Sequence, residues 1–257
     1  VSLIVICLVA FLASGLTFFS GFGLGTLLLP AFALFFPVEQ AVALTGVVHF
    51  LNGLFKLALV GRKADKGVLI RFGLPAFVAS FVGALVLTRL ADVPPIATYM
   101  VLGELAVVTP VKLAIGGLLL VFAGLEVSER FGNVALPPKY LPVGGVLSGF
   151  FGGLAGMQGA LRSAFLLRAG LSKEAFIGTG VAIAALIDLS RIGVYSTELR
   201  NQAHGFDYPL LAAAVLSAFA GAFLGNRYLT KLTMRHVQRI VAGLLFAVGL
   251  GLVFGIL

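Results

Sequence analysis

Ser20-Gly21-Phe22-Gly23-Leu24-Gly25-Thr26-Leu27-Leu28-Leu29-Pro30 is apolar, rich in glycine and bounded by proline. Gly152-Gly153-Leu154-Ala155-Gly156-Met157-Gln158-Gly159-Ala160-Leu161-Arg162-Ser163 has the same character in the other half of the chain. A helix needs about 20 apolar residues to cross a bilayer, and neither run supplies a comfortable span. Short, glycine-broken segments at corresponding places in two halves of a membrane protein point to a midplane binding site. Glycine permits unwound backbone, and a half-helix starting after such a break turns unpaired N–H groups and the positive end of its dipole inward.

Outward from these runs the chain is uniformly apolar. Its 257 residues are 60% hydrophobic and 11% charged, with a mean hydropathy of +1.12. Soluble domains carry about a quarter charged residues, so an ordinary water-soluble enzyme is excluded. We expect an all-α integral membrane protein. Eight long apolar segments fall at about 1–19, 38–60, 68–90, 111–127, 140–156, 172–195, 208–228 and 237–257, and two short ones at about 23–36 and 159–170. The first lacks the basic leader of a cleaved signal peptide and is counted as structure. The five tyrosines fall at segment ends or in a connecting loop, as interfacial aromatics do.

Sliding the chain by 134 positions lays Ser14-Gly15 on Ser148-Gly149, Gly25 on Gly159 and Thr45-Gly46-Val47 on Thr179-Gly180-Val181. This predicts two repeats, 1–127 and 140–257, joined by a loop at 128–139. Charge sets their relation, because cytoplasmic loops collect Lys and Arg. Five crossings per half would invert the second half and place twelve basic residues on one side: Arg62, Lys63, Lys66, Arg71, Arg130, Lys139, Arg168, Lys173, Arg227, Lys231, Arg235 and Arg239. Arg89, Lys112 and Arg200 would face the other side. Four crossings per half would give parallel repeats and a nearly even split, so inverted repeats with both termini non-cytoplasmic are predicted. The net charge of +8 is then a topology signal, and no nucleic acid is expected as a partner.

Several polar residues interrupt the spans. Arg162, with Gln158 one turn before it and Ser163 beside it, offers a guanidinium, an amide and a hydroxyl at one helix start, a donor set suited to an oxyanion. Thr45, His49, Asn52 and Lys56 follow one another at helical spacing along one face. His49 is a candidate proton carrier, while Lys56 is either a gate or a side chain reaching for the interface. Asp188 and Arg191, three apart, are placed to pair and are candidates for coupling or gating. Thr179 mirrors Thr45, so two hydroxyls are expected to flank a substrate, with Gly23, Gly25 and Thr26 contributing from the first break. Cys7 stands alone, His204 and His236 lie far from His49, and no phosphate-binding lysine follows the glycines. No metal, cofactor, direct use of ATP or enzymatic activity is expected.

The glycine-rich run at 20–30 and its partner at 148–166, each opening one half of a chain of this length, resemble the TauE/SafE family of sulfite exporters. The matching positions are Gly21, Gly23, Gly25 and Pro30, then Gly149, Gly152, Gly156 and Gly159. The resemblance implies a permease for sulfite, thiosulfate, sulfoacetate or another organosulfonate, driven by an ion gradient, in the cell (inner) membrane. The second run lacks the proline and carries Gln158 and Arg162, a departure that bears on substrate choice. Together these readings predict a secondary transporter of a small anion that alternates access around the broken helices. A passive channel, a carrier of a non-sulfur solute and a membrane scaffold are the alternatives. Membrane lipid and a second copy of the chain are the other expected partners.

Overall fold

The computed structural model describes residues 1–17, 24–101, 103–128, 134–201, 207–228 and 234–257, with side chains described outside 197–201, 228 and 234–238. These residues form α1 (Ser2–Leu16), α2 (Leu24–Ala33), α3 (Val38–Val60), α4 (Lys66–Ala91), a hairpin of β1 (Ala97–Val101) and β2 (Glu104–Val108), then α5 (Pro110–Val127), α6 (Leu141–Ala155), α7 (Gly159–Leu166), α8 (Lys173–Asn201), α9 (Tyr208–Tyr228) and α10 (Met234–Val253). The chain is therefore all-α apart from the hairpin. By length and composition α3, α4, α5, α8 and α9 can cross a membrane, and α10 has 20 residues.

Local chemistry sets several boundaries. Thr109 caps α5 by accepting the Lys112 N–H at 3.2 Å, with Pro110 in the first turn, where its missing N–H is no loss. Pro75 has no N–H to give to the preceding turn, and α4 widens into a π-helical turn at Leu69–Gly73 just before it. Gly156 ends α6 at φ +74°, and its N–H bonds to the Gly152 carbonyl at 2.9 Å.

Helices α6 and α7 form a tight hairpin with a buried turn, and α2 starts beside the middle of α3. The bare face of Gly144, early in α6, lies against the ring of Phe165 at the end of α7, and Leu136, before α6, bonds to the Ala164 carbonyl at 3.1 Å. Met157, in the turn between the two helices, is fully buried. In the first half Gly25 touches the ring of His49, the midpoint of the 23-residue α3. With only residues 34–37 between them, α2 and α3 form an antiparallel pair, and α2 starts at half depth. Each half thus has two shorter helices, α1 with α2 and α6 with α7, followed by three longer ones.

Packing between the halves is reciprocal. The first helix of each half lies on the fourth of the other, α6 on α4 and α1 on α9. Gly145, Gly149 and Gly153 press on the backbone of Phe72, Ala76 and Ser80, while Gly221 and Gly225 press on Phe11 and Gly15. Small residues at four-residue spacing let membrane helices approach to backbone contact. At the outer seam Gly116 faces the Gly249 carbonyl and Gly249 faces the Gly116 carbonyl. At the centre α3 and α8 run antiparallel, with Gly46 on Arg191, His49 on Asp188 and Gly178 on Val60. Large apolar side chains, among them Ile6, Leu28, Phe32, Ile115, Leu119 and Leu245, fill the space between.

The hairpin stands in a stretch expected to be a plain connection. Ala97 pairs with Val108 and Val101 with Glu104, and Gly103 supplies a φ of +89° at the bend. The last residues hold it: Val107 N–H donates to the Gly255 carbonyl at 2.9 Å and the Tyr99 hydroxyl to the Phe254 carbonyl at 2.6 Å.

Two outcomes are expected from this packing. Gly149→Leu should lower the thermal midpoint by at least about 5 °C, whereas Gly117→Leu, at a glycine with open space around it, should leave it within a degree or two; differential scanning fluorimetry in detergent checks both. In a Cys7→Ser background, a membrane-impermeant thiol reagent should label Leu171→Cys and leave Met157→Cys unlabelled; ready labelling of position 157 would place that turn at a surface.

Candidate functional site

The two breaks meet. A Cβ on Gly25, in the first turn of α2, would lie 3.0 Å from the Gly156 carbonyl oxygen and 3.5 Å from His49 Cδ2. Glycine at 25 thus allows the start of α2 to touch the end of α6. The N-termini of α2 and α7 both open at this depth, bringing two positive dipole ends toward one place.

Around that junction stands a charged cluster built by α3 and α8. Asp188 is fully buried, and its Oδ2 lies 2.5 Å from His49 Nδ1. Its Oδ1 accepts from Arg191 Nε at 2.9 Å, with Nη2 at 2.8 Å as an ion pair. The i,i+3 pairing of Asp188 with Arg191 follows the sequence expectation. The His49 contact joins the two halves and was not anticipated. It was open to inference from antiparallel crossing of α3 and α8, since His49 and Asp188 stand equally far from the point about which the repeats exchange. The His49 side chain keeps 17% of its surface exposed, against none for Asp188.

Arg191 lies between two glycines. A Cβ on Gly46 would be 3.4 Å from its Cζ, and one on Gly156 would be 2.8 Å from its Nη1. The guanidinium therefore rests on bare backbone and reaches the second break. Nη1 has no hydrogen-bond partner among the described residues, although Arg191 is fully buried. Thr45 Oγ1, Gln158 Nε2 and Ser163 Oγ are buried without partners as well. Such groups are rare in folded proteins, because each costs about 1–3 kcal/mol if nothing meets it.

Arg162 is buried and donates from Nη1 to Gln158 Oε1 at 2.9 Å, while Ser148 Oγ donates to the Gln158 carbonyl at 3.0 Å. Gln158 is thereby fixed with its amide nitrogen outward from the pair. On the other half Ser14 Oγ bonds to Asn52 Oδ1 at 3.1 Å, and Lys56 Nζ donates to the Ser14 carbonyl at 3.4 Å. Lys56 is thus buried against the last turn of α1, where a cation suits the helix C-terminus, and not extended to the interface. The Tyr195 hydroxyl reaches the Gly153 carbonyl in the last turn of α6 at 2.5 Å, in the corresponding role.

Thr45 and Thr179 do not form a symmetric hydroxyl pair. Thr45 is an orphan at the centre, whereas Thr179 Oγ1 accepts the Asp65 N–H at 2.8 Å and holds the 61–65 connection. Thr26 is buried in the first turns of α2. Gly23 lies outside the described residues. Among the described residues no group of three His, Cys, Asp or Glu side chains is placed to hold a metal ion. In this cluster three buried basic side chains, Lys56, Arg162 and Arg191, accompany one acidic one, Asp188. Basic side chains thus outnumber acidic ones in the cluster, and the arrangement is chemically suited to an anion.

Neither the curated proteins nor the solved structures gave a match to the chain. The family model described as sulfite exporter TauE/SafE matches residues 6–252, from within α1 to the end of α10. That match, covering both breaks and every residue of the cluster, gives the identification: the chain belongs to the TauE/SafE sulfite exporter family, and is a multi-pass membrane transport protein of that family and not an enzyme.

Proposed function

We propose that the protein is a secondary-active transporter of a small sulfur oxyanion, with sulfite or an organosulfonate as substrate, and that the substrate sits where the two helix breaks meet. The observation that carries this reading is Arg191: a fully buried guanidinium, laid between Gly46 and Gly156, with Nη1 unpartnered among the described residues. A pyramidal or tetrahedral oxyanion presents three oxygens. Arg191 Nη1, Gln158 Nε2 and Thr45 Oγ1 are donors left over by the protein's own bonding, and Ser163 Oγ is a fourth on α7. Backbone N–H groups at the starts of α2 and α7 add to the field. Arg162 acts through Gln158, whose Oε1 it occupies, and through long-range attraction. This differs from the direct contact that the sequence suggested.

His49 and Asp188 form the coupling element. The imidazole is the partly exposed member and the carboxylate the buried one, so a proton taken up by His49 is held beside a fixed negative charge. The two repeats, 1–127 and 140–257, are the bodies that move, since each contributes one pair of shorter helices and one central helix. A ligand shifts such an equilibrium only by its different affinity for the two states, and a site shared between the halves supplies that difference. The basic loops are placed in the cytoplasm by their charge.

Thr45→Val should show opposite signs in two measurements. Removing an unsatisfied buried hydroxyl should leave the anion-free thermal midpoint unchanged or slightly raised, while stabilisation by sulfite falls, with affinity down about tenfold for one lost hydrogen bond. Sulfite-dependent thermal shift of detergent-purified protein reads both, and equal sulfite stabilisation in the variant would remove Thr45 from the site. In proteoliposomes, His49→Gln should retain sulfite exchange at equal pH yet lose the response to an imposed proton gradient. Wild-type flux that ignores the gradient would favour a passive channel.

A further inference from the structure

Between α4 and α6 a groove of about 750 Å³ runs along the outside of the bundle, lined by Ile70, Leu74, Val78 and Val82 on one wall and Val146 and Phe150 on the other. Its apolar walls are largely exposed, with Ile70 at 67%, Leu74 at 61% and Val78 at 58%. Arg71 is the one charged residue in the lining, at the end where α4 begins. The thirteen residues of α4 from Ile70 to Val82 cover about 18 Å. That length is close to the roughly 15 Å depth of one leaflet's hydrocarbon.

The groove exists because α6 packs backbone to backbone on α4. Gly145, Gly149 and Gly153 draw the two axes together, and the larger side chains of both helices then stand apart on the outer face as two walls. The trough opens along the outside of the bundle, and its Arg71 end lies toward the start of α4. Beside that end stand Lys66, first residue of α4, and Lys139, whose Nζ lies 5.0 Å from the centre of the Tyr140 ring. An apolar trough one leaflet deep, ending in Arg71 with two lysines nearby, is complementary to one acyl chain and one phosphate. Free phosphate would use the charges and leave the trough empty, and a zwitterionic lipid would bring its own cation to Arg71.

We propose that the α4–α6 groove is a specific site for an anionic phospholipid, with an acyl chain along the Ile70–Val82 wall and its phosphodiester on Arg71. The site is independent of the transport reading given above, because none of its residues belongs to the anion cluster. It touches transport through α6, whose last turn leads into Gly156 at the junction.

Native mass spectrometry of the full chain in a neutral detergent, titrated with phosphatidylglycerol, phosphatidylethanolamine or glycerol 3-phosphate, tests this. Wild type should retain one phosphatidylglycerol at least about tenfold more tightly than phosphatidylethanolamine and should not retain glycerol phosphate. Arg71→Gln should abolish the preference between headgroups, and Val78→Trp, which fills the trough, should weaken retention of both lipids. Circular dichroism melts without lipid confirm that each variant is folded. Equal retention of both lipids by wild type, an unchanged preference in Arg71→Gln, retention of glycerol phosphate alone, or a dimer that excludes lipid would overturn the proposal.

Discussion

Inside a bilayer there is no water to meet an unpaired carbonyl or amide, so a backbone that stops being helical at half depth must find its partners within the protein. The rest of this structure is arranged around that constraint. The end of α1 is met by Lys56 on the Ser14 carbonyl, and the end of α6 by Tyr195 on the Gly153 carbonyl. Ser148 takes the Gln158 carbonyl at the start of α7. In each half the first long helix supplies the group that closes the last turn of the helix before the break. Those long side chains fix where the breaks come to rest against α3 and α8.

The same constraint accounts for how charge is distributed. Asp188 is tolerated because His49 and Arg191 hold it from two helices. Burying such a triad gives little net stability, since desolvation offsets most of the attraction. What it gives is registration of α3 against α8, the one antiparallel contact in which both halves meet at the centre. Arg191 then has one edge committed to Asp188 and its far nitrogen directed at Gly156. A single side chain both fastens the halves and, in the function proposed above, faces the anion.

Much of this was legible in the sequence. Helix α3 was delimited to the residue by its hydrophobic run, and the spacing of Asp188 and Arg191 announced their pairing. The bias of basic residues pointed to inverted halves, but charge in the loops carries no information about how deep a short helix reaches. Thr179 illustrates another limit: the repeat placed it opposite Thr45, but its hydroxyl is taken by Asp65 N–H, a loop contact that a sequence offset does not register. The hairpin at 97–108 was missed because its exposed face at Tyr99 and Met100 reads as an interfacial loop.

That hairpin has a mechanical meaning. It belongs to the first half, between α4 and α5, yet its backbone is bonded to Gly255 and Phe254 at the close of the second. Lys112 adds a bond from α5 back to the Val107 carbonyl at 2.9 Å. On this edge the two halves are sewn together by main chain, directly above the reciprocal Gly116–Gly249 contact. Relative motion of the two halves has least freedom at this α5–α10 edge, so a hinge between them would lie here and the helix breaks far from it.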